Sequence, residues 1–138
     1  MIRYLPLAML LFLPLAACAN PETQAKVDAQ VCSKYKESQA KLDALYGNIT
    51  AQYAQDKVFI KNLKAAQEAW VKYRDAELKT IYPDEYRHSY GSIVRTCECT
   101  KLSQLNEARI KELEQWTKGS KDICAGTMQG VHSIKAPE

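Results

Sequence analysis

The chain of 138 residues carries 19 basic and 16 acidic side chains, a formal charge of +3. That length allows one domain with a modest core. So small a charge excess argues against nucleic acid as a partner, which needs a concentrated basic face.

Met1–Ala17 has a single basic residue, Arg3, followed by an apolar run from Leu5 to Leu15. The run is too short to persist as a membrane-spanning helix, and the small residues ahead of Cys18 mark a processing site. Leu15-Ala16-Ala17-Cys18 resembles the bacterial lipobox, which implies a lipoprotein signal peptide over 1–17 and acylation of Cys18, palmitate included. An ordinary secretory signal with a chance Cys is the alternative. Ala19 after the Cys favours, by the same resemblance, an outer membrane location facing the periplasm. Removing 1–17 leaves 121 residues (138 − 17) and takes away Arg3, so 18 basic and 16 acidic side chains remain, net +2.

Residues 18–22 read as lipid anchor and tether, and residues 23–118 as a helical domain. Thr23 can cap the first helix, because its side chain accepts from the free amides of a first turn. Val31, Tyr35, Ser38, Leu42, Leu45, Ile49 and Tyr53 then recur at spacings of three and four. Gly47 is a flaw costing roughly 1 kcal/mol against Ala. Asp56 can cap a second helix whose stripe is Phe59, Leu63, Ala66, Trp70, Tyr73 and Glu77, with no Gly or Pro from Lys57 to Ile81. Pro83 stops it. Tyr82–Ser92 is the longest connection, and Gly91 or Ser92 releases a third helix. Its apolar face is Val94, Leu102, Leu105, Ile110, Leu113 and Trp116, interrupted by Arg109 and closed by Gly119. Residues 119–138 contain Gly126, Gly130 and Pro137 and read as an irregular tail, held if at all by Cys124. These elements predict an all-α fold, an antiparallel up-down-up three-helix bundle stapled by disulfides.

Lys41-Leu42-Asp43-Ala44-Leu45-Tyr46, Ala66-Gln67-Glu68-Ala69-Trp70, Tyr73-Arg74-Asp75-Ala76-Glu77 and the later Gly91-Ser92 together resemble the lysozyme inhibitor LprI-like family of small helical cell-envelope domains. The resemblance runs from about Cys32 to Leu113, and Ala-Gln-x-x-Trp-x-x-Tyr-Arg-Asp is its specific part. It implies inhibition of lysozyme by a surface lipoprotein. Two positions depart from the family pattern: Leu78 stands where the family has a Cys, and Tyr90 replaces the first Gly of its Gly-Gly-Ser loop. The family's usual bridge from the second helix to the start of the third therefore cannot form.

Export into an oxidising compartment makes two disulfides the expectation for Cys32, Cys97, Cys99 and Cys124. In an up-down-up bundle Cys32 lies near Leu78 and near Cys97 or Cys99, so it can take over the bridging role lost at Leu78. Residues 97 and 99 point about 200° apart on a helix and cannot both face Cys32. Cys32 is expected to bridge one of them and Cys124 the other, with an early helix end or a bent tail. Cys97-Glu98-Cys99 with His88 is a poor zinc set, since its spacer is too short and a fourth ligand is missing; no metal or other cofactor is expected.

Glu77 continues the second helix's stripe and Arg109 interrupts that of the third, so a pair of Glu77 or Asp75 with Arg109 is expected to fix register. Trp70 and Tyr73 are expected to pack the centre. Arg74 completes this signature set. No nucleophile stands beside a base, because His88 and His132 both fall in connections, so the chain reads as a binder and not an enzyme. Tyr82, Tyr86, Arg87, His88 and Tyr90 place hot-spot residue types on one exposed connection, which makes Tyr82–Ser92 the expected contact surface for a lysozyme-type protein partner. A structural or assembly lipoprotein docking on another envelope protein is the alternative function.

Overall fold

The computed structural model describes residues 21–122 and 124–129. The signal over 1–17, the lipidation candidate Cys18 and the tether up to Asn20 lie outside them, as do His132, Gly130 and Pro137. Three long helices carry the fold: α1 Pro21–Gln52, α2 Lys57–Ile81 and α3 Val94–Lys118. A 3-10 helix, Asp84–Tyr90, links α2 to α3, and a second, Gly126–Gln129, follows α3. No strand occurs among the described residues.

Side-chain partners give the directions. Cys32 meets Cys99, Ser38 meets Asn106 and Tyr53 meets Trp116, so α1 and α3 run parallel. Phe59 meets Trp116, Gln67 meets Arg109 and Glu77 meets Lys101, so α2 runs against them. The arrangement is the expected up-down-up bundle, with α1 and α3 as its closely packed pair.

Local chemistry sets the ends. α1 starts at Pro21, ahead of the expected cap at Thr23, because proline's fixed φ suits a first helical position where no amide hydrogen is needed. Asp56 caps α2, its carboxylate accepting the Phe59 amide at 2.8 Å. α3 ends at Gly119, whose amide still reaches the Gln115 carbonyl at 3.0 Å and whose φ of 72° then turns the chain off the helix.

The core sits where α1 turns into α2 and α3 finishes. Leu42, Ile49, Tyr53, Phe59, Leu63 and Leu113 are buried there, with Trp70, Ile110 and Trp116 packed around them. Tyr53 stacks on Phe59 at 4.2 Å, and Phe59 meets Trp116 edge-on at 5.0 Å. The Tyr53 hydroxyl donates to the Trp116 carbonyl at 3.1 Å, and burial pushes its pKa above the usual 10.0.

Two expectations fail in this region. α2 turns inward the edge Phe59, Leu63, Gln67, Trp70 and Arg74, so Ala66 is exposed and Tyr73 is 55% exposed instead of central. Both edges continue a three-four spacing from Leu63; the long stems of Gln67 and Arg74 cover apolar surface while their polar heads find partners. Nor does a second bridge form: Cys97 and Cys124 are free. α3 continues to Lys118, about 32 Å past Cys97, and six further residues reach back at most about 22 Å. The tail is held by Ala125, buried against the bundle, while Cys124 is exposed.

Candidate binding cleft

Below the core, α1, α2, α3 and the connection enclose a cleft of about 350 Å³. Tyr35 contributes from α1, Arg74, Asp75, Leu78 and Lys79 from α2, and Glu98 and Leu102 from α3; Tyr82, Asp84 and Arg87 close its lower edge. Signature residues of α2 thus share one cavity with two of the residues singled out in the connection.

Arg74 is the inner wall, its side chain only 13% exposed. It donates to Gln39 at 3.0 Å and to Asp75 at 2.9 Å, and its guanidinium lies 5.4 Å from the Trp70 ring centre. Arg109 stands 6.0 Å from the same ring, so the indole sits within reach of two cations that its π electrons attract. Behind Gln39 lies Asn106, fully buried, which donates to Gln39 and Ser38 at 3.2 Å each. A polar layer therefore runs from the α1–α3 seam to the cleft wall. Sequence reasoning missed Asn106; the signal was its place seven residues from both Cys99 and Leu113, on the line that α3 buries.

The expected pairing of Arg109 with Glu77 or Asp75 does not form. Arg109 donates to Gln67 at 3.1 Å and to Glu112 at 2.8 Å, Glu77 meets Lys101 at 3.4 Å, and Asp75 binds Arg74. The antiparallel register sets Arg109 opposite Gln67, about 15 Å along α2 from Glu77. Register is held instead by Gln67–Arg109, Glu77–Lys101 and the shared Trp70.

The connection is braced to α3. Arg87 donates two hydrogen bonds to the Glu98 carboxylate, at 2.8 and 2.9 Å, a planar fork on a planar acceptor that raises the pKa of Arg87. Tyr82 and Tyr90 meet edge-on at 5.8 Å. Burial lifts the Tyr82 phenol above its usual range, and the neighbouring Cys97 adds to that. Tyr82, Arg87 and Tyr90 thus hold the connection in place, leaving Tyr86 and His88 exposed and outside the cleft wall. Cys32 and Cys99 join α1 to α3 at this end, with Cα atoms 5.0 Å apart. Cys99 is thereby taken out of the set it formed with Cys97 and His88.

Three cations, Arg74, Lys79 and Arg87, and three carboxylates, Asp75, Asp84 and Glu98, line the cleft. Arg74 and Arg87 are each tied to an acid, while Lys79 makes no ion pair among the described residues. A charge-balanced, tyrosine-edged cavity of this kind suits side chains of a protein partner. No described helix is long and apolar enough to cross a membrane.

No curated protein and no solved structure gives a match to the chain. The family described as lysozyme inhibitor LprI matches residues 16–113, more than two-thirds of the sequence. The matched span takes in every residue of the cleft and stops at the core residue Leu113. The chain belongs to the LprI lysozyme inhibitor family.

Proposed function

We propose that this protein is an exported, lipid-anchored binder that inhibits lysozyme or a related peptidoglycan-cleaving enzyme through the cleft beside Arg74 and Asp75. The observation that carries the inhibitor reading is the family match over residues 16–113; the cleft is taken as the contact surface because it brings Arg74 and Asp75 of α2 together with Tyr82 and Arg87 of the connection. Tyr35 of α1, half-buried in the cleft wall, supports it: tyrosine in a concave surface is a residue type that anchors protein interfaces. Compared with the whole of Tyr82–Ser92, the contact surface shifts toward α2 and keeps Tyr82 and Arg87. A mature charge of +2 gives no general attraction to basic lysozymes, so recognition depends on fit and short-range contacts.

A second reading, a docking lipoprotein without inhibitor activity, draws on the opposite face. There Val31, Thr100, Ser103 and Ala108 floor a groove of about 560 Å³ along α1 and α3, rimmed by Lys34, Glu107 and Lys111. A cell-wall lysis assay with the processed protein separates the two. Inhibition predicts slowing of at least one lysozyme type near equimolar ratio; unaltered lysis by several types at large excess favours docking. Anchoring has its own test: the Cys18 peptide should carry acyl mass, and a bare Cys18 peptide would contradict it.

A further inference from the structure

We infer that the end of the bundle bearing Val27, Ile81, Tyr86 and Ile93 rests on the lipid surface, with these side chains entering the headgroup region. Six large apolar side chains are exposed among the described residues, and these four belong to one end. Val27 lies near the start of α1, Ile81 closes α2, Tyr86 is in the 3-10 connection and Ile93 precedes α3. Contacts bring these segments together: Gln24 donates to Thr96 in the first turn of α3 at 3.1 Å, and Arg87 is clamped to Glu98. Single exposed apolar residues need no explanation, but several gathered at one end do.

What covers them follows from where the chain leaves the described residues. α1 begins at Pro21, at this same end, three residue steps from Cys18, with only Ala19 and Asn20 between them. Three extended residues reach about 10 Å, so a lipid on Cys18 holds this end against the bilayer. The inference therefore rests on the anchoring proposed above. Aliphatic and tyrosine side chains suit that depth. Charge adds little: Lys26, Lys79, Arg87 and Arg95 stand among Glu22, Asp28, Asp84, Glu85 and Glu98, with no basic excess to favour anionic lipid. Seated this way, the cleft opens sideways, since its floor residue Leu102 lies about 13 Å along α3 from Ile93.

The test uses the full chain, processed in a bacterial envelope and reconstituted into phosphatidylcholine vesicles with or without brominated acyl chains. Tryptophan reporters are placed by Tyr86→Trp, Ile93→Trp and, at the far end, Val58→Trp, and read as differences from the parent with its Trp70 and Trp116. Vesicle flotation reports anchoring separately from seating. The expected result is flotation of all variants, with bromine lowering the Tyr86→Trp and Ile93→Trp signals about twofold and leaving Val58→Trp unchanged. Substituting phosphatidylglycerol for part of the phosphatidylcholine should not alter this pattern. Flotation with unquenched reporters would overturn the seating and leave anchoring intact. Unquenched reporters in a cross-linkable dimer would assign this end to a second copy. Protein that stays in solution with an unacylated Cys18 would overturn the anchoring reading, and the seating with it.

Discussion

The two ends of this bundle are built by different chemistry. Where α1 turns into α2, Leu42, Ile49, Tyr53, Phe59, Leu63 and Leu113 form a dry core with Trp116 against its rings. At the other end few side chains are buried; α1 and α3 are joined by Cys32–Cys99, Arg87 is forked onto Glu98, and Thr96 hydrogen-bonds Asp28 and Gln24. Between them lies a polar layer of Ser38, Gln39, Asn106 and Arg74, with Trp70 flanked by two guanidiniums. The difference teaches a division of work. Apolar burial holds the fold at one end, so the other can expose charges and tyrosines around a cleft, provided a covalent link keeps its helices together.

That division can be broken from either side. The largest effect should come from Cys32→Ser with Cys99→Ser, because the bridge closes 67 residues of sequence and contributes about 4 kcal/mol by loop entropy. Chemical denaturation should show that loss, with amide exchange rising first at the connection and the start of α3. Leu113→Ala, which empties a fully buried site at the other end, should cost about 3 kcal/mol and loosen the whole bundle together.

Smaller effects sharpen the boundary. Asn106→Leu should raise stability by about 1 kcal/mol, since the buried Asn106 Oδ1 has no partner among the described residues. Ser38 would still donate to the Tyr35 carbonyl, and Gln39 would still accept from Arg74. A loss of stability would show that the polar layer contributes to the fold.

The smallest effect is on the acid limb. Hydrogen bonds from Thr96 and Gln24 lower the Asp28 pKa below its ordinary 3.8. A lowered carboxylate contributes stability above its unfolded value and loses it as pH falls through the folded one. Asp28→Asn should therefore flatten part of the stability decline below about pH 3.8 and leave neutral pH behaviour governed by its neutral hydrogen bonds.

Much of this was legible because it is local. Asp56, Pro83 and Gly119 announce helix ends through their own backbone chemistry, and the spacing of Leu42, Ile49 and Leu113 marks buried lines. The partner of Cys32 was readable to within two residues from topology alone. The cleft was less legible, since its walls depend on which edge of α2 turns inward. Ala66 and Tyr73 look more apolar than Gln67 and Arg74, yet the latter pair has long stems and partners waiting on α1 and α3. A buried Asn106 and an Arg109 paired within its own helix are likewise outcomes of register, which no single helix reveals.

The most direct test is a lysis titration comparing the parent protein with Tyr35→Ala, Lys79→Glu and the far-end control Val58→Ala, each matched for helicity. The cleft reading predicts inhibition weakened about tenfold or more by the first two, as for interface hot spots, and unchanged by Val58→Ala. Equal inhibition by all four proteins would place the contact surface elsewhere on the bundle.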